Sequence, residues 1–165
     1  MTTTASPAGR RQPARSTAPI TQIRVQVFTA GEAPADTTGP IHLGLGGREF
    51  RLVKDGAGST RGTQSTFTLG EGTDVGHSWM NDPRAPRLTL ADLAHRPLYL
   101  RLEKAGFEPP WLLERALLTV NPGTDTEIQF GTRCLAELGP GHKLWLGADQ
   151  GLAVHLEHVR GPLAR

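Results

Sequence analysis

The stretch from Leu98 to Val120, LYLRLEKAGFEPPWLLERALLTV, limits the folds open to this chain more than any other. Leu98, Leu100 and Leu102 alternate with Tyr99, Arg101 and Glu103, the period of a strand with one buried face. Gly106 and the pair Pro109-Pro110 then break the run, because proline fixes φ and cannot donate to a sheet ladder. Trp111 follows at once. Beyond it Leu113, Arg115, Leu117 and Thr119 alternate with Leu112, Glu114, Ala116, Leu118 and Val120. Two strands joined by a rigid corner are expected, with Trp111 plugging one end of a core. Leu100 and Leu117 are expected to share that interior.

The rest of the chain repeats this grammar. Gln22 to Thr29 places Ile23, Val25 and Val27 on one face. A turn-rich connection runs to Pro40. The run from Ile41 to Val53 changes phase at Gly46-Gly47, with Phe50 and Leu52 resuming the apolar pattern. Thr63 to Leu69 is rich in β-branched residues. Leu88 to Ala94 has the signature of one helical turn, with Thr89 capping and Asp92 at the third position. EIQF begins another strand, TRCLAEL a short helix or turn, and KLWLG and GLAVHLEHV close the chain as two strands. Residues 70–87 have no periodicity and read as a long surface loop. Among 165 residues there are 20 glycines and 13 prolines, and only 5% are aromatic. So many turns between short apolar runs predict an all-β sandwich of about eight antiparallel strands. The organisation expected is a tail over 1–19, one sandwich over 20–160 and a short end at 161–165.

Charge narrows the function. The first 19 residues hold Arg10, Arg11 and Arg15 and no acid, leaving 15 basic against 16 acidic residues elsewhere. The sandwich is therefore no basic nucleic-acid binder. The tail reads as a disordered segment whose arginines would tether it to an acidic partner or membrane surface. It lacks the apolar core of a signal peptide, and no run reaches the roughly 20 apolar residues of a membrane span. With a single cysteine there is no disulfide framework, and a cytoplasmic setting is expected.

Taken together, IRVQVFTA, IHLGLGG, RGTQSTFTL, LADLAHRPLYLRLEKAGFEPPWLLERALLTVNP and IQFGTRCLAE resemble, in order, the PLAT (lipoxygenase-homology) family. The resemblance runs over residues 22–147, with Cys134 where that family usually has a tryptophan. It implies two four-stranded sheets, and a domain that binds membranes, lipids or protein partners, in some members through calcium held in loops at one end. On that analogy Asp36, Asp55 and Glu108 are the candidate calcium ligands. Calcium takes six to eight oxygens, whereas turn aspartates commonly do no more than bond the local backbone. Asp36 is followed by TTGP with no second acid, and the corner carries Glu103 and Glu108 in place of an aspartate cluster.

No catalytic set stands out. Gly76-His77-Ser78-Trp79-Met80 has methionine where a nucleophile elbow needs its second glycine, and no strand precedes it. His155 and His158, three apart on a strand, point to opposite faces. Cys134 is expected to be packed and inert. Trp111 is expected in the core and Trp145 half-buried. Trp79 and Met80 have no regular core to fill, and Phe107 sits in the corner loop, so these three are the candidate binding residues. The expectation is a non-enzymatic binding module that engages a protein or lipid surface through end loops 30–40, 70–87 and 104–111. The alternatives are a structural or adaptor subunit of a larger assembly, and a small serine hydrolase working through Ser78.

Overall fold

A computed structural model describes residues 17–54, 59–104, 106–139 and 141–159. Arg10, Arg11, Arg15 and Asp55 lie outside them. Among the described residues ten strands form two antiparallel sheets. In chain order they are β1 (Gln22–Thr29), β2 (Ile41–Leu45), β3 (Arg48–Leu52), β4 (Gln64–Gly70), β5 (Tyr99–Leu102), β6 (Trp111–Val120), β7 (Ile128–Gly131), β8 (Leu144–Leu146), β9 (Ala153–His155) and β10 (Glu157–His158). One sheet runs β10-β7-β6-β1-β4, with β8 also paired to β6, and the other runs β3-β2-β5-β9. A 3-10 turn spans Leu90–Ala94, and one short helix, α1, spans Arg133–Glu137. No helix among the described residues is long and apolar enough to cross a membrane.

The sandwich is the expected one, but the sheets hold six and four strands, not four and four. Two expected runs divide to give the larger count: Ile41–Val53 folds as the β2–β3 hairpin, and the terminal run becomes β9 and β10. β8 joins the lower half of β6, where Trp111 pairs with Leu146. The terminal run GLAVHLEHV is not one strand: β9 pairs with β5, and β10 pairs with β7 in the opposite sheet. Leu156, between them, is buried where the chain crosses over, so His158 does not follow Val154 inward and is exposed.

Period-2 patterning builds the core. Ile23, Val25 and Val27 of β1 face Leu43, Leu45, Leu100 and Leu102 of the other sheet in one continuous apolar cluster. Gly46 and Gly47 form the two-residue hairpin between β2 and β3, with φ of 60° and 81°, the backbone that such a turn requires. The capping box at the 3-10 turn is present, the Asp92 carboxylate accepting from the Thr89 amide at 2.7 Å.

β6 departs from simple alternation. Phe28 pairs with Arg115 and Thr29 with Leu113, so Glu114 is an extra residue bulged out of the ladder. The bulge resets parity. Trp111 and Leu113 point inward before it; Ala116, Leu118 and Val120 point inward after it. Leu117 is therefore on the outer face and only half-buried, which corrects its expected place beside Leu100. Leu112 also faces outward, covered by Ala30, Ala35 and Trp145 in a small second cluster.

On the outer face of the four-stranded sheet, the Arg101 guanidinium donates two 2.8 Å hydrogen bonds to Glu49, and the Tyr99 hydroxyl adds a third at 3.0 Å. The Arg101 bond, with help from Tyr99, holds the Glu49 carboxyl well below its usual value of 4.5, at about 2. A depressed carboxylate contributes stability above its unfolded pKa, and that stability is lost as pH falls through the folded value. The pair is partly solvated, so its contribution is on the order of 1 kcal/mol. Glu49→Gln is expected to lower the urea midpoint at pH 6 and to leave it nearly unchanged at pH 2, where the wild-type group is itself partly protonated. Paired urea titrations at the two pH values measure this.

Candidate docking surface

The segment between β4 and the 3-10 turn has no regular structure, yet it is tied down along its length. Gly70, with φ of 83°, turns the chain off β4 so closely to the Thr21 carbonyl that a Cβ would lie 2.3 Å from it. Asp74 accepts from the Thr68 amide and from Lys54 Nζ, both at 2.7 Å. The Gly76 amide donates to the Val53 carbonyl at 2.7 Å. A tight turn follows, with the Met80 and Asn81 amides both donating to the His77 carbonyl. The Asn81 side chain is buried; its Oδ1 accepts from the Arg51 amide and its Nδ2 donates to the Gly76 carbonyl, each at 2.8 Å.

Arg48 locks the second half. Its Nη1 donates to the Asp82 and Pro86 carbonyls at 3.0 and 2.9 Å, and Nη2 reaches the Met80 and Ala85 carbonyls at 3.4 and 3.3 Å. The guanidinium carbon lies 4.7 Å from the Phe50 ring centroid, a cation–π contact. Burial lowers the pKa of this group, opposed by the charge of Asp82. The Arg84 side chain, by hydrogen bonding, in turn holds Asp82 below the ordinary carboxylate range. Neither Arg51 nor Arg87, both exposed, has an acidic partner among the described residues.

These bonds place the segment along the outer edge of β3, with Gly76 level with Val53, Asn81 with Arg51 and Asp82 with Arg48. This corrects the expected grouping of end loops. Loops 30–40 and 104–110 do meet at one end of the sandwich, where Thr37 Oγ1 donates to the Pro109 carbonyl at 2.8 Å. Residues 70–87 leave from the other end, at Gly70, and cover a flank. The segment needs neither Trp79 nor Met80 for its own packing: the two are 75% and 57% exposed.

The remaining candidates scatter. Phe107 is fully exposed at the corner loop. Beside it the Glu108 carboxylate accepts from the Gly106 amide at 2.8 Å, and Lys104 Nζ donates to the Glu108 carbonyl at 2.6 Å. Asp36 is exposed on the neighbouring loop. Among the described residues no three of His, Cys, Asp and Glu gather as a metal site, so the donors described do not furnish a calcium shell. Ser78 lies exposed in the His77–Asn81 turn, with no strand leading into it. Cys134 is exposed, not packed, because α1 turns Leu135 to the core instead. Trp111 is fully buried, and its Nε1 donates to Thr29 Oγ1 at 2.9 Å. The parts invisible from pattern were Arg48 and Asn81; an asparagine among turn residues beside an arginine-rich strand carried no periodic signal.

No protein-family model and no curated protein matches the sequence. Solved structures do match in fold. A LOX deletion variant solved in complex with arachidonate superposes with a TM-score of 0.51 at 16% identity, over 84% of this chain and 16% of that one. The alpha toxin from Clostridium absonum gives 0.52 at 16% identity over 89% of this chain and 34% of the toxin. The Clostridium perfringens alpha-toxin gives 0.50 at 13% identity, over 92% and 34%. This chain thus spans from about a sixth to a third of the solved chains it matches. The likeness establishes the sandwich fold, in agreement with the PLAT resemblance.

Proposed function

We propose that this chain is a non-catalytic docking module that seats on a membrane lipid surface through the Trp79–Met80 turn. One observation carries this: a loop fixed by buried and charge-assisted hydrogen bonds holds a tryptophan and a methionine out in solvent. Indole rings favour the headgroup layer, and a thioether adapts to irregular apolar surroundings. Burying one such side chain is worth roughly 1.5–3 kcal/mol. Because the turn is already ordered, little of that is spent on arranging it. Sharing a sandwich with a LOX that was solved with a fatty acid is in keeping with the reading.

Sedimentation with vesicles of phosphatidylcholine and phosphatidylserine tests it. Trp79→Ala is expected to weaken retention about tenfold, the loss of one interfacial aromatic. Unchanged retention would sink the proposal. Vesicle binding in EGTA is expected to match binding in calcium, because the described end-loop acids do not assemble a calcium shell; a strong calcium requirement would bring Asp36, Asp55 and Glu108 back as ligands.

A further inference from the structure

Which side of the sandwich faces the lipid follows from where its charges lie. We propose, resting on the function above, that the domain docks side-on along its β3 flank, with Trp79 and Met80 in the headgroup layer and Arg51 and Arg87 on the phosphates of anionic phospholipid.

Two parts of the molecule offer an exposed aromatic. One is the flank, with Trp79 and Met80; the other is the strand end, with Phe107. Their charges differ in sign. Residues 48–54 and 70–87 together carry Arg48, Arg51, Lys54, Arg84 and Arg87 against Glu49, Glu71, Asp74 and Asp82. Glu49, Asp74 and Asp82 are engaged with Arg101, Lys54 and Arg84 respectively, and Glu71 lies within electrostatic reach of Arg84, so five cations face four acids. Segments 30–40 and 103–110 carry Glu32, Asp36, Glu103 and Glu108 against Lys104. Lys143 reaches across to Glu32, His42 reaches Glu103, and Arg61 stands on the adjoining turn, yet four acids against Lys104, Lys143 and Arg61 leave that end acidic. An anionic surface therefore attracts the flank and repels the end.

Geometry gives the same answer. The Met80 and Pro86 carbonyls meet at one guanidinium, so Arg87 starts close to the Trp79–Met80 turn. Asn81 is bonded to the Arg51 amide, which puts the Arg51 backbone beside the same turn. The turn that carries the apolar pair thus has two exposed arginines nearby in the chain's backbone, neither with an acidic partner among the described residues. Phe107 sits on the loop after β5, two strands from β3, about 10 Å across the sheet and beyond its end.

The experiment uses the full chain carrying Cys134→Ser, with one new thiol introduced by Ser78→Cys or by Phe107→Cys and labelled with an environment-sensitive fluorophore. Vesicles of phosphatidylcholine, with and without phosphatidylserine, are added, and sedimentation of the unlabelled protein is measured alongside. A blue shift at position 78 and none at 107, dependent on phosphatidylserine, supports side-on docking. A shift at 107, alone or together with 78, overturns it and leaves membrane binding standing. Silence at both positions with sedimentation intact also overturns it, while silence without sedimentation removes the proposed function as well. Arg51→Glu combined with Arg87→Glu is a second arm. Both side chains are exposed, and phosphatidylserine-dependent retention is expected to drop by about tenfold or more. Retention unmoved by this pair would overturn the phosphate contact.

Discussion

Trp111→Ala is expected to lower the unfolding free energy by about 4 kcal/mol, against a total of roughly 5–15 kcal/mol for a domain of this kind. The side chain is fully buried where the corner after β5 enters β6, and it packs in the single large core cluster. Truncation leaves a cavity lined by strands of both sheets, which are paired on each side and cannot collapse inward. It also strands the Thr29 hydroxyl, itself buried, which accepts the indole N–H at 2.9 Å. Thr29→Val separates the two effects. It keeps the volume but leaves a buried indole donor unpaired, at a cost of about 1–3 kcal/mol. Urea unfolding followed by circular dichroism measures both variants. A Trp111→Ala loss below about 2 kcal/mol would mean that this end of the sandwich is loosely packed.

Local patterning carried the fold a long way. β1 appears with the boundaries that Ile23, Val25 and Val27 imply, because a strand with one buried face writes its period directly into the sequence. Gly46-Gly47 marked a change of phase for a similar reason, few residues tolerating that backbone, and the change is the β2–β3 hairpin. The failures share a cause of the opposite kind. Glu114 looks like any outward residue, and nothing in WLLERALLTV says that one position drops out of register against β1. Leu117 was misplaced by that single slip. The sheet crossover at Leu156 was hidden too, since a strand that changes sheets keeps its alternation until the break.

The candidate surface was legible only in part. Trp79 and Met80 stood out as large side chains among glycine, aspartate and proline, with no core assigned to them. That they lie on a flank, and not at an end, depends on bonds between residues about 30 to 40 apart, made by backbone carbonyls that every sequence possesses. Carbonyl convergence leaves no trace in residue types. The one clue was an arginine opening β3, at a position whose parity would otherwise direct it toward the core beside Phe50 and Leu52.

That arginine yields the second large expectation. Arg48→Met is expected to reduce retention on phosphatidylserine-containing vesicles about tenfold, although Arg48 itself is not placed on the lipid. Its guanidinium bridges four carbonyls between Met80 and Pro86; a charge-assisted bond is worth about 1.5–3 kcal/mol net of water, and the longer, exposed bonds to Met80 and Ala85 contribute less than the two at 2.9 and 3.0 Å. Methionine retains much of the length of the side chain over Phe50 but donates nothing, so the turn opens and Trp79 loses its fixed presentation. Hydrogen exchange distinguishes this from general unfolding. The Met80, Asn81 and Leu88 amides, bonded within the segment, should lose protection, while those of Val25 and Leu118 in the paired strands should keep it. Arg48→Lys separates geometry from charge. One ammonium cannot span carbonyls on both sides of the loop, so lysine should behave like methionine. Full rescue by lysine would show that the positive charge matters and the bridging does not, and segment amides still protected in Arg48→Met would show that the turn is held without it.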